Sequence, residues 1–350
     1  MSISGISDPK TILVTRLRFI GDVVLTIPVV RALRQQFPDA RIYYLAERAM
    51  GAILEGDPDL DGVLSYDGGI GVSGTWYERF MCQIKFLKIL RSHNIDIVID
   101  LFCNPRSALL TLLSGASIRV GYDVRIRGAV YNVKIRRSGS IKVSEAYLDG
   151  IRALGMEPET SAPNLILSPA ELSWAEKWFY KHGLSSDEPV VCVNPGASWP
   201  AKTWPGQSFA TLCDRLIQKA GVRIVFIQGP SNSDQVCAVI EAMIEDAILV
   251  EYHPIRQISA LISRCQAMVS NDSGPMHIGP AVATPTVGIF GPSDSSIWFP
   301  YDGTIGHSAI KPDVARCCGN DVCTEASPCI NGISVTSVFE AVARILAGQS

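Results

Sequence analysis

No stretch of the 350-residue chain stays apolar for the roughly 18 residues that a membrane-spanning helix needs, so no such helix is expected. Self-similarity at periods of roughly 20 to 50 residues is missing too, as are low-complexity tracts, which removes solenoids and fibrous assemblies. Ten cysteines are present without the regular spacing of a disulfide framework, and six stand singly in apolar segments, as reduced buried thiols do. Charge is sparse: 19% of residues are charged against 47% apolar, with mean hydropathy +0.20, a balance that describes a well-buried α/β enzyme rather than a disordered chain. Arg16 and Arg18 ahead of FIGDVVLTIPVV imitate a secretory signal. Asp22 interrupts its apolar part, however, and no small-residue cleavage site follows, so a cytoplasmic protein is expected.

What is present is organised in two parts. A chain of this length exceeds one core, and two domains of roughly 150 to 180 residues are the natural division. The first 165 residues carry 20 Lys and Arg against 17 Asp and Glu, and the remainder 11 against 17, so a net charge of −3 divides into +3 and −6. Strand-like runs TILVT, RIYYLA, DGVLSY, DIVIDL and IRVGY alternate with helical patterns such as GDVVLTIPVVRALRQQF, TWYERFMCQIKFLKILRSH and NPRSALLTLLSG. SEAYLDGIRALG closes this part, and EPETSAPNLILSP, with three prolines, reads as a linker. After AELSWAEKWFYKHG the rhythm restarts with PVVCVNPG, VRIVFIQGP, AILVEY, AMVSN and PTVGIFG. The expected architecture is α/β: two doubly wound, Rossmann-like parallel sheets facing across a cleft, over 1–160 and 161–333, with a C-terminal helix over 334–350. Ligands in such sheets bind beyond the carboxyl ends of strands, which directs attention to a few loops.

In NPGASWPAKTWP (194–205), Lys202 can reach toward a phosphate as a mobile cation and Ser198 offers a hydroxyl, with a helix expected to begin near Pro205. In SNDSGPMHIGPA (270–281), Ser273-Gly274-Pro275 are expected to start a helix whose unpaired N–H groups, with Gly274 permitting close approach, suit a diphosphate. Asp272 would repel phosphate and suits sugar hydroxyls instead, while His277, one turn along, could donate to a phosphate oxygen. FIQGPSNSD repeats the pattern with Gly229-Pro230, and IFGPSDSSIWFP repeats it again.

TRLRFIGDVVLTIPVVRAL, NPGASWPAKTWP, FIQGPSNSD and SNDSGPMHIGPAVATPTVGIFGPS, in this order and over nearly the whole chain, resemble the lipopolysaccharide heptosyltransferases of glycosyltransferase family 9. The resemblance implies a GT-B architecture, an ADP-heptose donor held by the C-terminal domain and used as substrate with no cofactor, and an inner-core acceptor held by the N-terminal domain. It makes Asp22 the general base that takes the acceptor proton, with Gly21 letting the acceptor approach. Lys202, Ser198, Ser273 and Gly274 match the family's leaving-group ligands, and Asp272 and His277 its donor-site acid and histidine. One base and one leaving-group clamp, without a second carboxylate nucleophile, imply single displacement with inversion and no need of a metal. The basic run 118–142, with Arg119, Arg125 and Arg127 among its cations, would attract anionic inner-core sugars or the inner leaflet, placing the enzyme peripherally on the cytoplasmic face of the inner membrane. RLRFIGDVVLTIPVV leans toward the type III enzymes and PGASWPAKTWP toward type II.

Other signals compete. DGGIGVSG holds a literal G-x-G-x-x-G at Gly69, Gly71 and Gly74, which would suit an NAD(P)-dependent oxidoreductase, but it follows the third strand rather than the first. A GT-B hydrolase or epimerase of nucleotide sugars, or a non-catalytic binder, would share the donor loops without needing Asp22. DPDLD (57–61) reads as a polar turn rather than a metal site. Cys317, Cys318, Cys323 and Cys329 lack paired C-x-x-C knuckles, so any metal there would be structural. The acidic overall balance and the lack of a recognisable module argue against nucleic acid.

Overall fold

The computed structural model describes residues 8–66, 75–140, 142–159, 162–184, 188–230, 232–301, 306–313 and 329–348. The chain divides into two compact units, Met1–Ile166 and Leu167–Ser350. The first holds six parallel strands, β1 (Thr11–Thr15), β2 (Arg41–Ala46), β3 (Gly62–Ser65), β4 (Ile97–Asp100), β5 (Ile118–Tyr122) and β6 (Val133–Ile135), in the order β3-β2-β1-β4-β5-β6. The second holds β7 (Val190–Asn194), β8 (Arg223–Phe226), β9 (Ile248–Leu249), β10 (Ala267–Asn271), β11 (Thr286–Ile289) and β12 (His307–Ile310). Its order is β12-β11-β10-β7-β8-β9, also all parallel, so each unit has the doubly wound order 3-2-1-4-5-6 when counted from its own first strand. These are the two sheets of a GT-B-type fold.

β1, β4, β7 and β10 are buried along their whole length, because central parallel strands are covered on both faces; they read in the sequence as continuous apolar runs rather than alternating ones. Each sheet has one strand more than the five legible in sequence. β6 and β12 are the additional ones, both at sheet edges, and β6 is three residues long within the basic run. The expected helix GDVVLTIPVVRALRQQF is two helices, Ile20–Leu25 and Ile27–Gln36. They part at Thr26, whose Oγ1 donates to Val23 O at 2.7 Å, just ahead of Pro28, which has no N–H to continue the ladder.

Several local signals behave as their chemistry dictates. Asn104 caps the Pro105–Ser114 helix reciprocally with Ser107, and Gly115 ends it at φ 83°, where a side chain would be strained. The acids of DPDLD are held by arginines: Arg31 lies 2.6 Å from Asp57 and 2.8 Å from Asp59, and Arg34 2.7 Å from Asp61. Arg31 also donates to Asn164 O at 2.9 Å, fastening the proline-rich segment to its own unit. Among the described residues no group of three or more His, Cys, Asp or Glu could hold a metal. DGGIGVSG and Cys317, Cys318 and Cys323 lie outside the described residues; Cys329 begins a short 3-10 turn, Cys329–Gly332.

In the second unit, the Pro169–Lys181 helix docks on the Ile255–Ile262 helix, and Arg256 donates to both Glu171 oxygens, at 2.5 and 2.9 Å. Burial alone would raise the Glu171 pKa; the bonds from Arg256 and from Ser168 outweigh it and hold the carboxyl below its ordinary 4.5. A depressed carboxyl stabilises the fold above its unfolded pKa and stops doing so as pH falls through the folded value. Glu171→Gln is therefore expected to cost about 2 kcal/mol near neutrality, the cost shrinking below pH 4.5, as read by thermal unfolding of both proteins across pH. A pH-independent difference would refute this.

Candidate active site

In each sheet the strand order reverses beside the unit's first strand, between β1 and β4 and between β7 and β10. Connections leave a reversal in opposite directions, so the loops at that point part and leave a crevice. Gly21 and Asp22 lie at the first of these points, and Ser198, Lys202, Asp272, Ser273 and Gly274 follow the strands of the second, each within its own unit.

At the first reversal Arg16, the residue after β1, is buried with its guanidinium 4.3 Å from the Phe102 ring centroid, in the loop after β4. Phe19 then takes φ 68°, an unusual value for a non-glycine that costs about 1–3 kcal/mol. This turn starts the Ile20–Leu25 helix and sets Gly21 and Asp22 in its first turn, both buried. Asp22 does not cap the helix. Its Oδ1 accepts a short hydrogen bond from the Tyr147 hydroxyl and lies 2.9 Å from Arg16 Nη2. No described residue bonds Oδ2, and the side chain keeps 8% exposure. Burial and then the Asp22 charge push the Tyr147 pKa well up, so the phenol stays a donor. For Arg16, burial would lower the pKa, but Tyr147 and Asp22 outweigh it and the guanidinium stays charged. The result is a side chain with Oδ1 engaged by two partners and Oδ2 bonded by no described residue.

At the second reversal two buried asparagines tie the β7 and β10 loops together. Asn194 Nδ2 donates to Ser270 Oγ (2.9 Å) and Ser273 Oγ (2.8 Å), and Asn271 Nδ2 donates to Pro195 O (2.7 Å) while its Oδ1 accepts from Trp204 N (3.2 Å). Fixed in this way, Lys202 Nζ lies 2.7 Å from Asp272 Oδ2 and 4.6 Å from the Trp199 ring centroid. The contact to Asp272 is an ion pair not aligned as a hydrogen bond. The two side chains keep 16% and 7% exposure. The N–H groups of Ser273 and Gly274 donate to no described residue. A diphosphate here would meet a lysine oriented by its acid and two peptide donors.

Several expectations need correction. Asp272 does not stand alone: its Oδ2 lies against Lys202. The helix expected from Ser273 is only a 3-10 turn, Gly274–His277, followed by Ile278–Ala281, so little helix dipole is available; Pro275 and Pro280 each lack an N–H for a longer ladder. His277 is buried, 6.2 Å from the Tyr301 ring between centroids. The helix does begin beside Pro205, as expected: Pro205 is the N-cap of Gly206–Ala220. Gly229 N–H is used within its own turn, bonded to Asn232 Oδ1 at 2.6 Å, so it is not a phosphate donor; Pro230 and Ser198 are exposed beside it and beside Lys202 in sequence. Arg119 sits in mid-strand, level with Val98, and its guanidinium goes to Ala116 O (2.7 Å) and Val130 O (2.8 Å), on the amino side of the sheet, away from Asp22. Arg125 and Arg127 lie in the Arg125–Val130 turn after β5, at the carboxyl side, Arg125 exposed. Sequence reasoning missed Arg16, Tyr147, Asn194 and Asn271. Arg16 was recoverable as the first residue past a central strand; Tyr147, 125 positions from Asp22, carried no such signal.

A side chain at Gly291, after β11, would overlap the Ala201 carbonyl, a backbone atom that cannot swing away. Gly291→Ala is expected to displace the Lys202 turn, costing about 1–3 kcal/mol in thermal unfolding and weakening nucleotide binding by calorimetry. Wild-type values for both would show the turn to be slack.

The sequence profile of glycosyltransferase family 9 (heptosyltransferase) matches residues 83–321. The chain is 28% identical over 304 residues to Lipopolysaccharide heptosyltransferase 3 of Escherichia coli K12, covering 83% of this chain and 85% of that one. Among solved structures it is similar to a family 9 glycosyl transferase from Veillonella parvula, with TM-score 0.84, 25% identity and 97% of each chain covered. The ADP-heptose lipopolysaccharide heptosyltransferase II of Escherichia coli superposes with TM-score 0.77 at 23% identity, over 96% of this chain and 98% of that one.

Proposed function

Because the chain belongs to glycosyltransferase family 9, the heptosyltransferase family, we propose that it moves a heptose from ADP-heptose to the inner-core oligosaccharide of lipopolysaccharide, with inversion, at the cytoplasmic face of the inner membrane. The observation that carries the mechanism is the setting of Asp22: a buried side chain paired with Arg16 and oriented through Oδ1 by Tyr147, with Oδ2 left to a substrate.

In this reading the acceptor hydroxyl oxygen forms a bond to the anomeric carbon as the bond from that carbon to the diphosphate oxygen breaks. The hydroxyl proton passes to Asp22 Oδ2, and the bonding pair leaves with ADP. Lys202, oriented by Asp272, and the N–H groups of Ser273 and Gly274 take up the charge on the departing diphosphate. Ser198 is the exposed hydroxyl nearest Lys202 in sequence and remains a donor-side candidate, with Gly229, Pro230 and His277 shaping the loops around it. Gly21 and the cations Arg125 and Arg127 serve the acceptor; Arg119 does not. No cofactor and no metal enters any step.

Asp22→Asn keeps the shape and the Tyr147 partner, and should lower kcat by about 100-fold or more while ADP affinity changes less than about twofold. Unchanged turnover would remove the base assignment, and lost ADP binding with it would indicate collapse rather than chemistry. In a thermal-shift series of ADP, UDP, GDP and CDP, ADP is expected to stabilise the protein most. A clear preference for another nucleotide would end the ADP-heptose assignment.

A further inference from the structure

At the first reversal the guanidinium of Arg16 is buried, yet among the described residues Asp22 is its only acceptor: Nη2 lies 2.9 Å from Asp22 Oδ1, and Nε bonds nothing. A guanidinium held at one nitrogen is free to swing about that contact. What fixes its plane is the pair of rings it lies against, with the guanidinium carbon 4.3 Å from the Phe102 centroid and 5.6 Å from that of Tyr147. Tyr147 also meets Asp22 directly through its hydroxyl. Phe102 does not; it is half-buried and packs against the apolar cluster that includes Leu13, Leu17 and Leu45.

Phe102 is in turn placed by Asp100. Asp100 ends β4 level with Thr15, the residue before Arg16, so the two loops leave the reversal side by side. The side chain is fully buried: Oδ1 accepts from the N–H groups of Phe102 (3.0 Å) and Cys103 (2.9 Å), and Oδ2 accepts from the Tyr131 hydroxyl (2.7 Å). Cys103 takes φ 50°, a left-handed conformation that a side chain resists. Its thiol closes the turn by donating to Asp100 O at 3.0 Å and accepting from Tyr122 N at 3.2 Å. A buried acid and a strained cysteine in one turn are costly, and what the turn presents to Arg16 is the Phe102 ring.

We propose that Phe102 is a positioning residue for the transfer step: its ring, set by Asp100, fixes the Arg16 guanidinium and through it the direction of Asp22 Oδ2. The inference rests on the proposed function, in which Asp22 takes the acceptor proton. A ring face attracts a cation through its quadrupole, whereas an unbranched aliphatic side chain of similar volume fills the space without doing so. Turnover rather than binding feels the loss, because the base must stand within hydrogen-bond reach of the acceptor hydroxyl as the proton moves.

The test compares Phe102→Tyr, which keeps the ring face, with Phe102→Met, which keeps roughly the volume, in the full-length chain and again combined with Asp22→Asn. Phe102→Leu replaces the methionine variant should thermal unfolding show that one to be unfolded. Phe102→Met should lower kcat about tenfold while acceptor KM and ADP affinity stay within about twofold, and Phe102→Tyr should keep at least about half of the parent kcat. In the Asp22→Asn background Phe102→Met should lower kcat no further, since both changes act on the same group. Parent-like kcat in Phe102→Met, equal losses in both ring variants, or a tenfold loss that persists beside Asp22→Asn would each overturn the inference while leaving the base assignment standing. Unchanged turnover in Asp22→Asn alone would overturn the base assignment, and the inference with it.

Discussion

Parallel strands need crossover connections, and a sheet that grows from its middle in both directions must reverse its strand order once. That reversal, beside β1 and again beside β7, is the constraint on which the rest of the molecule depends. It parts two loops at the carboxyl ends of the most deeply buried strands, so polar groups placed there are held by a rigid base yet reachable. Asp22 and Lys202 stand near these points, and the buried residues around them hold the loops in place: Phe102 under Arg16 in one unit, Asn194 and Asn271 between the loops in the other.

Each site joins its principal charge to a partner of opposite sign before any substrate arrives. Burying a lone charge is costly, and a partner of opposite sign offsets that cost: Asp22 lies against Arg16 and Lys202 against Asp272. The pairings also orient. With Oδ1 of Asp22 engaged twice, the reactive direction is left to Oδ2, and with Asp272 on one side of the lysine ammonium its other hydrogens point elsewhere. Strain at Phe19 is of the same kind: a backbone conformation that costs stability is retained where it aims a side chain.

Much of this was legible in the sequence, and for physical reasons. Strands buried on both faces announce themselves as unbroken apolar runs, and the Gly, Pro, Ser, Asn and Asp that follow them mark loops at strand ends, so Asp22, Lys202, Asp272 and Ser273 could be picked out by position. Two of the four edge strands, β6 and β12, were not, although the other two, β3 and β9, were. Partners distant along the chain could not be, since Tyr147 meets Asp22 and Asp272 meets Lys202 only once the strand order is known. Arg119 misled because a basic run in sequence is split by its strand, one end of which lies on the wrong side of the sheet.

The central claim is that the reversal beside β7 is a diphosphate site organised by the Lys202–Asp272 pair. A crystal structure with ADP bound tests it most directly. The account predicts diphosphate oxygens within hydrogen-bonding reach of Lys202 Nζ and of the Ser273 and Gly274 N–H groups, with Asp272 still against the lysine. ADP bound elsewhere, or seated there with Lys202 turned away from the phosphates, would contradict it.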